Sequence, residues 1–290
     1  MSRKKLIKAA IAAPAVVFAL CTMGLAAAHK EQTLSTTADP RISLKNFEGI
    51  VLIRGWERHQ VHVAYDVVSP RVDVDVDGIP AKGTAEKIHL VTDSMASNLS
   101  SGEKRVDYTM DVPSGATLEI TNPQGRVEIH NIGGDTWIRT VGGNITIQGA
   151  TGEVSVGTIG GAIQISRSSG HVDASSVTGD VTFVGTTSKR IRANSSSGRI
   201  SYSGNLVPAG DYVLSTYSGD IEILCQPTDS FELHARSAHG MLDNQMDIKP
   251  EAHRASPALY GNGLFGTHNE GRATLDLTSY KGTIHILPQQ

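Results

Sequence analysis

The sequence predicts an all-β fold: a single-stranded β-solenoid, parallel β-helix-like, built from strand-turn units of about nine residues. Three observations predict it. Gly125, Gly134, Gly143, Gly152, Gly161, Gly170 and Gly179 recur at a fixed nine-residue step. The second and fourth residues after each glycine are mostly apolar: Val127/Ile129, Ile145/Ile147, Val154/Val156, Ile163/Ile165, Val172/Ala174 and Val181/Phe183. The residues between them are polar, as at Glu128, Thr146, Ser155, Gln164, Asp173 and Thr182. Alternation with a period of two gives each strand one dry and one wet face. No single unit can bury its dry face alone, so successive units must stack.

Taken in order, the chain opens on an export signal over residues 1–28. Arg3, Lys4, Lys5 and Lys8 form a basic region, residues 9–25 are apolar, and Ala26-Ala27-Ala28 supplies small residues for cleavage after Ala28. The apolar stretch approaches the roughly 20 residues that span a bilayer, so an uncleaved anchor is the alternative. Leu20 before Cys21 argues against lipid modification, which leaves Cys225 as the one mature cysteine and excludes an internal disulfide. Cys225 ends the apolar run 221–224 and reads as a small hydrophobe. Residues 29–40 are expected to be a flexible leader.

The β-solenoid domain is expected over residues 41–290. Within it, 41–112 read as opening, capping strands, for example Ile50-Val51-Leu52-Ile53 and Val61-His62-Val63. Residues 113–225 carry the regular repeats. A coil of two beats, roughly 18 residues, gives a flattened solenoid with two main faces. Three-beat coils fit the same spacing. A meander or sandwich is the other all-β reading, although neither requires identical inward positions at a fixed step. Each boundary glycine is read as permitting positive φ in a tight turn, with Asp135, Asn144, Asp180 and Asp220 as further turn residues. The seventh position is often apolar as well: Ile132, Val141, Ala150, Ile159 and Val177. Tyr202, Tyr212 and Tyr217 fall on inward beats and are expected in the core. Residues 226–270, with Pro227, Pro250 and Pro257, read as an irregular excursion, and 271–290 as closing strands that rejoin the stack.

Composition narrows the function. Aromatics are 5%, so Val, Ile, Leu and Ala must build the core. A net charge of -3 without a basic stripe argues against nucleic acid as a partner.

Three passages carry a family resemblance. They are the opening Asn46-Phe47-Glu48-Gly49-Ile50-Val51-Leu52-Ile53-Arg54-Gly55-Trp56, the run Asp111-Val112-Pro113-Ser114-Gly115-Ala116-Thr117-Leu118-Glu119-Ile120, and Ser218-Gly219-Asp220-Ile221-Glu222-Ile223. Together they resemble a widespread bacterial putative-adhesin family of unknown function, over about residues 40–288. The resemblance implies an exported solenoidal domain and brings no catalytic residues with it.

Candidate chemistry is sparse. Asp73-Val74-Asp75-Val76-Asp77-Gly78 places three carboxylates on one strand face, where hard oxygen ligands could hold Ca²⁺. The loop position that should hold a bidentate glutamate is Thr84, so a strand with valines inward and solvated aspartates outward is the stronger reading. Calcium-binding nonapeptide repeats need a glycine pair and an aspartate in every unit, and Gly133-Gly134-Asp135 and Gly142-Gly143-Asn144 do not continue as such. His234, His239, His253 and His268 lack metal-ligand spacing. Ser195-Ser196-Ser197 suits turns better than nucleophiles. The β-helix enzymes that act on polysaccharides need clustered acids, and two-beat coils put Asp173 and Glu128 on opposite faces. Trp137 occupies an outward beat, where an indole could stack on a sugar or anchor a protein; the alternative is that a cap or the C-terminal excursion covers it.

The expectation is therefore an exported, non-catalytic protein of the periplasm or cell surface, without cofactor, in a structural, adhesion-like or protein-binding role. Its partner would be an envelope protein or a glycan, with membrane contact only through an uncleaved signal. A glycan-binding module is the alternative, followed by a polysaccharide-active enzyme.

Overall fold

The computed structural model describes residues 28–95, 99–250 and 262–289. The signal segment 1–27, Cys21 included, and His253 and Pro257 lie outside the described residues. Among the described residues every regular element is a strand. The opening section holds β1 (Ala28–Lys45), β2 (Glu48–Trp56), β3 (Gln60–Val67), β4 (Val72–Ile79), β5 (Ala85–Ser94) and β6 (Val106–Pro113). The regular section runs through β7 (Thr117–Thr121), β8 (Gln124–His130), β9 (Thr136–Arg139), β10 (Asn144–Gln148), β11 (Val154–Thr158) and β12 (Ile163–Ser166). It continues with β13 (Val172–Ser176), β14 (Val181–Val184), β15 (Arg190–Ser195), β16 (Ile200–Ser203), β17 (Asp211–Thr216) and β18 (Ile221–Cys225). Last come β19 (Phe231–Ser237), β20 (Leu242–Asn244), β21 (Lys249–Pro250), β22 (Asn262–His268), β23 (Ala273–Ser279) and β24 (Ile284–Pro288).

A coil takes two beats. Ile145 lies in parallel register between Val127 and Ile163, and Val154 between Thr136 and Val172. Even-numbered strands from β8 to β18 stack as sheet A, and odd-numbered strands from β7 to β17 as sheet B. Between the sheets lies one continuous core. Ile145, Ile147, Val154, Ile163 and Ile165 are almost fully buried, as are Phe183, Tyr202 and Tyr212. Such a chain of aliphatic contacts gives the hydrophobic effect its full area.

Both ends are built by insertion. The coil of β1 and β2 sits between the coil of β5 and β6 and that of β7 and β8. At the other end, β23 and β24 slide between β17/β18 and β19/β20. The final segment thus rejoins the stack within it, not at its tip. Antiparallel pairs then cap the ends: β3 with β1 and β6, β4 with β5, and β22 with β19. Parallel stacking would otherwise leave open strand edges.

Four expectations change. Residues 29–40 are no loose leader: they belong to β1, whose first half pairs with β3 from Ala28↔Val67 to Ser35↔Gln60. Thr36 is buried and Leu34 packs against the core, so this strand is tied down by burial as well as by its ladder. Within 226–270, β19 is a regular rung paired with β23 over its whole length, and Phe231, Leu233 and Ala235 are buried. Pro227 and Pro250 lie outside that rung.

The seventh position also splits in two. Ile132 and Ala150 turn from sheet A to sheet B and are buried, whereas Val141, Ile159 and Val177 turn from B to A and are exposed. Tyr217 lies on that second edge and is 54% exposed, so it is not a core residue.

The periodic glycines serve close approach, not unusual dihedrals. Of the seven, Gly125 alone has positive φ. A Cβ on Gly143 would stand 2.6 Å from the carbonyl oxygen of Gly125, and Gly161, Gly179, Gly198 and Gly219 meet the preceding glycine's carbonyl even more closely. Asp135, Asn144, Asp180 and Asp220 do serve the turns. Each accepts a backbone N–H from the next coil, at 2.8–3.0 Å.

Candidate functional site: the Trp137 cleft on sheet B

In sheet B, the outward row through Trp137 runs from Ser43 on β1 through Glu119 on β7 to Trp137, Ser155 and Asp173. Thr136 and Ile138 face inward and are buried, which fixes the indole on the outer face. Alternation makes this unavoidable once Ile138 is anchored in the core. Trp137 is half-buried between its in-register neighbours. The C-terminal cap lies several rungs away, at β19 and β22.

Arg41, Glu119, Ile120, Thr121, Trp137 and Arg139 line a shallow cleft of about 260 Å³. Arg41, Glu119 and Arg139 are exposed. The cleft therefore offers an aromatic face, two guanidinium forks and one carboxylate on a sheet whose reverse side is packed. Such a surface can bind a partner through ring stacking and charge.

The other sequence candidates do not assemble. Asp73, Asp75 and Asp77 face outward on β4, opposite Asp93, Val91 and His89 of β5, with Val72 and Val74 buried. Asp73 meets Lys30 at 3.5 Å. Among the described residues, no group of three His, Cys, Asp or Glu side chains could hold a metal. His234 bonds Glu232 and Asp276 at 2.8 and 2.7 Å, His268 the Asp247 carbonyl at 2.8 Å, and His239 the Tyr280 hydroxyl at 3.3 Å. Asp173 stands on sheet B and Glu128 on sheet A, with the core between them. Cys225 is buried, and burial pushes its thiol up to about 12.

One structural constellation escaped the sequence reading. At the corner from sheet B to sheet A, a hydroxyl three residues before a glycine accepts that glycine's N–H: Thr158–Gly161, Ser176–Gly179, Ser195–Gly198, Thr216–Gly219, Ser279–Gly282 and Ser237–Gly240, at 2.9–3.1 Å. The signal was present as Ser/Thr-x-x-Gly on every second glycine. It marks a coil of two beats directly.

No curated protein matches the chain. A crystal structure of a "putative cell adhesion protein" from Clostridium sporogenes aligns over 90% of this chain and 100% of that one, at 11% identity and a TM-score of 0.26. A family model described as Toastrack DUF4097 matches residues 41–287, and the chain belongs to this family of domains of unknown function.

Proposed function

We propose that the chain is an exported, non-catalytic cell-envelope protein whose solenoid is a rigid binding surface, in a structural or adhesion-like role. The Trp137 cleft carries this reading. A half-buried indole on a flat sheet, backed by a sealed aliphatic core, offers a partner contact at little entropic cost. Export is supported by the basic region, apolar stretch and Ala26-Ala27-Ala28 of the first 28 residues. The separation of Asp173 from Glu128 speaks for binding over glycoside hydrolysis.

A second reading, a glycan-binding module, is favoured by the same cleft. An indole face suits the apolar face of a sugar ring, while Thr121, Glu119 and the arginines suit its hydroxyls.

The purified protein and W137A would be applied to isolated cell envelopes, with and without protease treatment. Retention that needs Trp137 and vanishes with protease supports a protein partner; retention that survives protease supports a glycan. Equal retention of both proteins removes the cleft from the reading. Polysaccharide turnover that is lost in D173N would overturn the non-catalytic role. Protein from the envelope fraction is expected to begin at His29.

A further inference from the structure

We infer that the Trp137 cleft binds an anionic saccharide, an inference that rests on the glycan reading above. The strand register gathers cations there. Lys87 of β5 lies beside Arg41 of β1, and Lys45 of β1 lies beside Thr121, which lies beside Arg139 of β9. These four exposed side chains lie on three strands, β5, β1 and β9, of a run of four that spans about 14 Å across the sheet. The cleft lining itself sets two arginines against the single carboxylate of Glu119, a local positive charge on a chain whose net charge is -3, with Asp39 and Glu86 flanking Arg41 and Lys87 at its rim. Local sign reversal of this kind concentrates anions.

The cations are also uncommitted. Some arginines of the chain pair with carboxylates, Arg126 with Glu128 and Arg105 with Asp107, each at 2.8 Å. Lys87, Arg41, Lys45 and Arg139 make no ion pair among the described residues.

The two tryptophans show the same contrast. Trp56 is satisfied internally: its Nε1 donates to the Gln60 carbonyl at 2.8 Å, and Arg58 covers its ring at 5.0 Å. Among the described residues, Trp137 has neither kind of contact. An open ring face between two free guanidinium forks matches a sugar that carries a carboxylate or sulfate. The ring would stack on the indole while the acid group takes a bidentate pair of hydrogen bonds from Arg41 or Arg139. A lipid surface is the less apt anion, because the indole sits in a cleft and does not project as an apolar wedge.

The test is calorimetry on the full-length protein with three probes: oligogalacturonate, its methyl ester, and vesicles containing phosphatidylglycerol. The expected result is binding of oligogalacturonate, weakened at least tenfold by esterification, by added salt, and in both W137A and the double variant R41Q/R139Q. R126Q, on the opposite sheet, should bind as the parent does, and melting curves verify that each variant is folded. Equal binding of acid and ester, sensitive to Trp137, would overturn the anionic inference and leave the glycan reading standing. Binding indifferent to Trp137, or confined to vesicles, overturns both. Absence of oligogalacturonate binding also overturns the inference, while retention on protease-treated envelopes decides the glycan reading separately.

Discussion

The rings of Tyr217 and Tyr280 stack with centroids 4.8 Å apart and 14° between their planes, although β18 to β23 lie between them in the chain. The spacing is that of adjacent strands, because the inserted coil of β23 and β24 rests directly on β17 and β18. The ring of Tyr217 also carries Lys281 at 5.5 Å. Both tyrosines are exposed, at 54% and 41%, so the pair adds little by burial. A double-mutant cycle with Tyr217→Ala and Tyr280→Ala should give a coupling of about 0.5–1 kcal/mol in urea unfolding. A coupling indistinguishable from zero would show that the stack is incidental to holding the inserted coil.

Neighbouring glycines should behave oppositely. A Cβ on Gly161 would drive into the Gly143 carbonyl at the crowded corner, whereas a Cβ on Gly160 would find its nearest atom, the Thr178 hydroxyl, at 3.8 Å. Gly161→Ala should cost about 3 kcal/mol, since the two backbones must separate within a close-packed core. Gly160→Ala should stay within about 0.5 kcal/mol of the parent. Thermal melting of the two variants checks the contrast. Similar losses for both would mean that the glycine ladder is not set by close approach.

The nine-residue step made the architecture legible because a coil repeats its inward positions at each rung. Ile145, Val154 and Ile163 could be placed in the core from alternation alone. What alternation leaves open is which corner a residue turns. Val141 and Ala150 hold the same place in the beat, yet one is 44% exposed and the other buried, because the two corners of a flattened coil differ. The same ambiguity put Tyr217 in the core. Insertion of β1/β2 and β23/β24 was hidden for a different reason: rung order depends on contacts between distant segments, and local pattern carries no record of it. The outward position of Trp137 could be read from the beat. Its cationic frame could not, because Lys87 is brought beside Arg41, and Arg139 into line with Lys45 across Thr121, only by the register of β5, β1, β7 and β9.

The hydroxyl ladder should be felt in stability. In Thr216, Oγ1 accepts the N–H of Gly219 at 3.1 Å within a buried corner. Thr216→Ala leaves that N–H without a partner and should cost about 1–3 kcal/mol. Thr216→Ser keeps the oxygen and should restore most of the loss. Urea unfolding compares them. If serine proved no better than alanine, the lost methyl group, not the hydrogen bond, would account for the effect.

Alkali should unfold the protein through buried acids that are neutral in the fold. Burial raises the hydroxyls of Tyr108, Tyr202 and Tyr212 above their ordinary value of 10.0, and the Cys225 thiol from 9.0 up to about 12. In each, the folded state favours the protonated form. The stabilisation is complete below the unfolded value and is lost as pH climbs toward the folded one. For these groups the melting temperature should therefore be level from pH 7 to 8.5 and fall from about pH 9 upward, where unfolded Cys225 ionises first. Cys225→Ala lowers the whole curve by opening a small cavity, and it should flatten the decline between pH 9 and 10. Tyrosinate absorbance supplies a second reading. Of the seven tyrosines, these three should ionise only as the strand signal in circular dichroism disappears. Their ionisation at pH 10 with the fold intact would mean that water reaches the interior between the two sheets.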